Sequence, residues 1–331
     1  MRVVVVQVPA IRPSTATALT VLYTILYIAP FYLSPTLRST TLSDRNAIPV
    51  IKARISAVYQ TCAICTAITT CVLVFYGHAS LRDVLRQTGM YPAHPLDIAR
   101  AMLLVCTLFA GPLFESVIVE GGWRECTWTN FRETMFDSWP GYRNFVVGPG
   151  SEELVFRGLA ISLFLLAKDT PLHITFTTPL IFGLAHLHHI HEFVIQHQSL
   201  GQSYISAALT PRILIPGLIR SLFQFCYTTL FGWIAAFIYL RTGNLWSCWL
   251  AHTFCNFMGL PRVWGKSDTS DDASSGEGLD NVNDRLKAGA QGQRLGIHWT
   301  VAYYALLVAG AYGFWTLRWS LTESKSALTQ F

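Results

Sequence analysis

The sequence predicts an all-α protein, a polytopic membrane helical bundle with about eight transmembrane helices. Three observations predict it. Only 13% of the 331 residues are charged, about half the roughly 25% usual in soluble domains. Hydrophobic residues make up 52%, and the mean hydropathy is +0.38. Apolar runs approaching the ~20 residues that cross a hydrocarbon core as a helix recur along the whole chain.

The candidate spans fall at roughly 14–33, 55–77, 97–118, 144–167, 173–195, 213–240, 243–260 and 299–319. The second, "AVYQTCAICTAITTCVLVFY", and the last, "TVAYYALLVAGAYGFW", are the clearest beside the first. The first is longer than the apolar core of a cleaved signal peptide and has no small-residue cleavage site nearby, so it is expected to be retained. The fifth is the weakest, because "FGLAHLHHIHEF" is crowded with histidine. Residues 265–296 are rich in Ser, Gly, Asp and Asn and nearly devoid of large apolar side chains. Such a segment buries too little surface to offset its ordering entropy, and a disordered polar loop is expected there. With no internal repeat, residues 1–331 read as one membrane domain, its chemistry-bearing helices at about 144–260.

The net charge of +5 comes with no basic block, so nucleic acid is not an expected partner. Cys62, Cys65, Cys71, Cys106, Cys226, Cys248 and Cys255 lie in apolar spans, and only Cys126 lies in a loop. That placement implies packing residues, not a disulfide framework. Lys and Arg are in excess in the loops joining spans one to two, three to four, five to six and seven to eight, which places those loops in the cytosol.

Polar groups inside such spans are costly and mark function. In "GPGSEELVFR", Gly148, Pro149 and Gly150 are expected to break the chain and Ser151 to cap the following helix. Glu153 and Arg157, four apart, share a face and can pair. Glu152 is rotated by about 100° from that pair and remains available for chemistry. On this stretch alone, a capping cluster at the membrane interface serves equally well. In "FGLAHLHHIHEF", Phe182 and His186 lie four apart, and His186 and His189 are spaced to share a metal ion. The metalloprotease pattern HExxH is absent, since Ile195 follows His191-Glu192 at the required position. In "CWLAHTFCNFMGLP", His252 and Asn256 share a helix face within an apolar span, where interhelical hydrogen bonding is the plain alternative. Cys255 beside His252 has no adjacent cation to stabilise a thiolate. By span order, all three groups lie nearer the Lys/Arg-rich face.

Glu152-Glu153-Leu-Val-Phe-Arg157, Phe182-Gly-Leu-Ala-His186 and His252-Thr-Phe-Cys-Asn256, on successive helices in that order, resemble the type II CaaX prenyl endopeptidases. These are the Ras-converting-enzyme class of the CaaX protease and bacteriocin-processing superfamily. The resemblance covers residues ~148 to 262. It implies a multi-pass protease of the endoplasmic reticulum membrane with a cytosol-facing active site. Its substrates would be farnesylated or geranylgeranylated CaaX proteins such as Ras-like small GTPases, from which it removes the last three residues. It implies that Glu152 and His186 orient and deprotonate water and that His252 and Asn256 stabilise the oxyanion. Glu153, Arg157 and Phe182 would support them, and no metal or cofactor is required. The chain's own ending, "LTQF", carries Leu328 where a CaaX signal has cysteine, so it is expected to read such signals. Three rival readings stand beside this one: a metal-dependent protease using His186, His189 and His252, a non-catalytic scaffold of the same fold, and a transporter with a Glu152–His186 proton relay.

Overall fold

The computed structural model describes residues 9–34, 36–37, 46–199, 201–266 and 296–331, and these are helices and connecting turns. Apart from residues 265, 266 and 296, the expected polar loop lies outside the described residues. Among the described residues, four helices are long and apolar enough to cross a membrane: Pro13–Leu33, Ile48–Phe75, Pro211–Thr242 and Ile297–Leu317. A fifth candidate is the pair Pro95–Leu108 and Ala110–Val119, bent by 82° at its break. The other expected spans are helical but interrupted or short. Pro171–Ala185 has 15 residues and Leu245–Met258 has 14, about 21–23 Å at 1.5 Å per residue. The protein is thus an all-helical, multi-pass membrane protein.

By contact the chain divides into two compact units. The first is built from residues 1–94, 150–248 and 324–331. Its centre is the helix Ala160–Leu166, in which Ala160, Ile161, Leu163 and Phe164 are fully buried. Pro171–Ala185 lies against Pro211–Thr242, and glycine permits the approach. A Cβ on Gly232 would stand 2.7 Å from the Pro179 Cβ and 3.3 Å from Arg157 Nη2, while one on Gly183 would collide with the Thr229 hydroxyl. Small residues therefore bring the Phe182–His186 stretch up to its neighbour.

The second unit comprises residues 95–149 and 249–323. Within it Ile297–Leu317 packs on the bent pair, with Gly111 facing Tyr303 and Leu307, and Gly310 facing the Thr107 carbonyl. Arg262 pairs with Glu115, and the Tyr303 hydroxyl donates to the Arg262 carbonyl at 3.0 Å.

One expectation is corrected. Gly148–Glu153 is helical throughout, so Gly148-Pro149-Gly150 does not break the chain and Ser151 is not an N-cap. Proline's fixed φ is already helical, and Pro149 directly follows the π-helical turn Tyr142–Val147 inside one continuous helical run, where the i−5 bonding pattern accommodates the missing N–H. The Ser151 hydroxyl instead lies 2.7 Å from the Tyr27 hydroxyl. Glu152 and Glu153 end this α-helical stretch and lead directly into the π-helical turn Leu154–Leu159.

Candidate active site

The first unit collects Glu152, Glu153, Arg157, Phe182 and His186. After Glu153 the backbone switches to a π-helical turn, Leu154–Leu159, a form that favours functional positions because it re-aims side chains. The pairing expected from the i,i+4 spacing is present: Arg157 Nε lies 3.2 Å from Glu153 Oε2, with both side chains almost fully removed from solvent. The guanidinium carbon stands 4.4 Å from the Phe182 ring centre and 5.6 Å from that of Phe231. Among the described residues, Nη1 and Nη2 of Arg157 meet no hydrogen-bond acceptor. Two aromatic faces and one carboxylate thus surround the buried cation.

Glu152 takes the other direction. Its Oε2 faces His186 Nε2 at 4.0 Å, and the two side chains keep 21% and 16% of their exposure. Both are therefore shielded yet reachable. The imidazole's orientation is defined by its other nitrogen, since Nδ1 lies 2.9 Å from the Phe182 carbonyl oxygen. A carbonyl can only accept, so Nδ1 carries the proton, and in the neutral ring Nε2 presents a lone pair to Glu152. Two acceptors facing each other at 4.0 Å do not bond directly. The gap has room for a water donating one O–H to each at ~2.8 Å. The Phe182 ring packs edge-on against His186 at 4.7 Å and against Phe156 at 5.1 Å, forming an apolar wall.

His252 and Asn256 belong to the second unit. Trp249, Thr253 and Asn256 share one helix face and donate to three successive carbonyls of the π-helical turn Tyr142–Val147. Trp249 Nε1 reaches Val146 at 3.2 Å, Thr253 Oγ1 reaches Phe145 at 2.7 Å and Asn256 Nδ2 reaches Asn144 at 3.1 Å. The amide of Asn256 carries two N–H groups, of which this bond uses one. His252 lies within the same helix and is buried. Among the described residues, no three His, Cys, Asp or Glu side chains form a metal-binding group.

Sequence reasoning missed several partners. Tyr27 holds Ser151, Phe231 covers Arg157, and Glu192 bonds both His189 Nδ1 at 3.1 Å and Arg54 Nη2 at 3.2 Å. Their only local signal is a carboxylate in a histidine-rich run. The rest lie far apart along the chain.

A helical membrane protein with a shielded carboxylate–imidazole pair has the make-up of a membrane-embedded acid–base enzyme. Residues 134–258 match the family described as Type II CAAX prenyl endopeptidase Rce1-like. A relative from Schizosaccharomyces pombe, "Probable CAAX prenyl protease 2", is 30% identical over 302 residues, 91% of either chain. Proteins named "CAAX prenyl protease 2" from Arabidopsis thaliana and Homo sapiens are each 37% identical over 194 residues. The matches cover 55% and 54% of this chain and 57% and 50% of theirs. No solved structure matches the chain. The chain belongs to the type II CaaX prenyl endopeptidase family and is a protease of the membrane.

Proposed function

We propose that the chain hydrolyses the peptide bond after the prenylated cysteine of CaaX proteins, Ras-like small GTPases among them, and releases the C-terminal tripeptide. The observation that carries this reading is the facing of Glu152 and His186 across 4.0 Å, with Nδ1 of the histidine committed to the Phe182 carbonyl. Glu152 takes a proton from the water it shares with His186, and the hydroxide adds to the scissile carbonyl. The proton then passes to the departing amine. His252 and Asn256 supply hydrogen bonds to the oxyanion of the tetrahedral intermediate, a task suited to the neutral N–H of an amide. Glu153, Arg157 and Phe182 keep Glu152 and His186 in register. The enzyme works in the endoplasmic reticulum membrane with its site towards the cytosol, so that a lipid-anchored chain end reaches the water without leaving the bilayer.

The test is cleavage of matched peptides by the purified protein in lipid. A farnesylated CaaX peptide should lose its last three residues, read by mass spectrometry, and the same peptide without the prenyl group should stay intact. Equal cleavage of both peptides would contradict the prenyl requirement. Failure on every prenylated peptide would leave a non-catalytic scaffold.

A further inference from the structure

We propose that Glu192 is a positioning residue for the reaction at His186, acting with Arg54 through His189. The inference rests on the reading of Glu152 and His186 as the water-activating pair. It starts from a change of helical pitch. The chain is α-helical over Pro171–Ala185, tightens to a 3₁₀ turn over His186–His188, and returns to α-helix over His189–His197. Successive side chains turn by about 120° in a 3₁₀ helix and about 100° in an α-helix. The aim of His186 therefore depends on keeping the tight turn at this place.

Two of the bonds that hold the turn are local: His186 Nδ1 to the Phe182 carbonyl at 2.9 Å, and His188 Nδ1 to the Ala185 carbonyl at 2.6 Å. Each lies within one turn of its own helix and would move with it. The fixed points come from elsewhere. Tyr32 donates its hydroxyl to the His188 carbonyl at 3.2 Å. Glu192, buried, accepts from Arg54 Nη2 at 3.2 Å and from His189 Nδ1 at 3.1 Å. Arg54 stands on the Ile48–Phe75 helix, where its Nε donates to the Leu37 carbonyl at 3.0 Å and its guanidinium lies 5.2 Å from the Phe31 ring. It is an anchored cation and not a mobile surface arginine.

A buried carboxylate is costly unless its charge is met, and here a helix outside the motif meets it. The result is a strap running from Arg54 through Glu192 to His189, whose ring centre is 6.2 Å from that of His186. The strap pins the residue that resumes the α-helix and so fixes where the 3₁₀ turn ends. A shift of about 1 Å in a catalytic group can cost ~10²-fold in rate.

The test uses the full chain in lipid with a farnesylated peptide, comparing wild type, Glu192→Ala, Glu192→Gln, Arg54→Met and the Arg54→Met/Glu192→Gln double variant. Glu192→Ala should lower kcat by up to about 10²-fold at unchanged KM, a loss larger than its fall in thermal midpoint accounts for. Glu192→Gln, which keeps an acceptor for His189, should recover most of the loss. The double variant, which leaves no buried charge unpaired, should fold and fall no further than the worse single. If Glu192→Ala does not fold, this neutral pair carries the test. Wild-type kcat in the double variant, or a kcat that falls only in step with the thermal midpoint, would overturn the proposal. His186→Ala separates it from the reading beneath. Activity retained in His186→Ala overturns the water-activating pair itself. Activity lost there, with Glu192 variants at wild-type kcat, overturns the positioning role alone.

Discussion

Arg157 holds its guanidinium 4.4 Å from the Phe182 ring, and the carbonyl of the same Phe182 accepts from His186 Nδ1 at 2.9 Å. One residue therefore touches the buried ion pair through its ring and the imidazole through its backbone. Phe182→Leu keeps the carbonyl and much of the bulk but removes the aromatic face. The expected cost is about 1–2 kcal/mol of stability, the worth of a desolvated cation–π contact, together with a lower kcat. Phe182→Tyr should retain more of both. Thermal unfolding and peptide cleavage on the same preparations check this.

The Glu153–Arg157 pair is almost fully enclosed. Removing one partner strands the other charge, so Glu153→Gln or Arg157→Met alone should cost about 3–5 kcal/mol. The double variant should cost less than either single. A double-mutant cycle on the unfolding midpoint measures the coupling, and additive losses would contradict it.

Gly232 lies where the Pro171–Ala185 helix comes close. A methyl group there would stand 2.7 Å from the Pro179 Cβ and 3.3 Å from Arg157 Nη2. Gly232→Ala should therefore cost about 1–3 kcal/mol by overpacking, and should lower kcat by displacing Arg157 from Phe182. An unchanged unfolding midpoint would show that the helices can part without strain.

Thr253 and Asn256 make comparable bonds to adjacent carbonyls, so the two separate packing from chemistry. Thr253→Val strands the Phe145 carbonyl and should cost about 1–3 kcal/mol of stability with little change in kcat. Asn256→Ala should lower kcat by about 10²–10³-fold if its second N–H meets the oxyanion. Equal effects of the two variants on kcat would reduce Asn256 to a packing residue.

The parts of this arrangement legible in the sequence are those that depend on local spacing. The i,i+4 pairing of Glu153 with Arg157, and the release of Glu152 from that pair, follow from helical periodicity alone. The apolar runs likewise announce a multi-pass helical protein. What escaped depends on backbone hydrogen bonding set by distant neighbours. Pro149 between two glycines reads as a break, yet the backbone there is helical and Ser151 turns to Tyr27. Nothing in residues 142–159 announces π-helical turns, and at Tyr142–Val147 the carbonyls are met by donors such as Asn256, more than a hundred residues away. The span count suffers similarly. Runs of suitable hydropathy at 173–195 and 243–260 fold as shorter helices, one of which tightens at His186. The partnership of Glu192 with Arg54 joins positions 138 residues apart and leaves no periodic trace.

We propose that Glu152 activates water without a covalent intermediate or a metal. The most direct measurement is single-turnover cleavage of a farnesylated CaaX peptide by wild type and Glu152→Ala in lipid, each with and without chelator. Wild type should cleave the peptide in the presence of chelator, and the variant should lose at least about 10²-fold in rate with peptide binding retained. Wild-type rates in Glu152→Ala would contradict it, and cleavage abolished by chelator would reassign the chemistry to a metal-bound water.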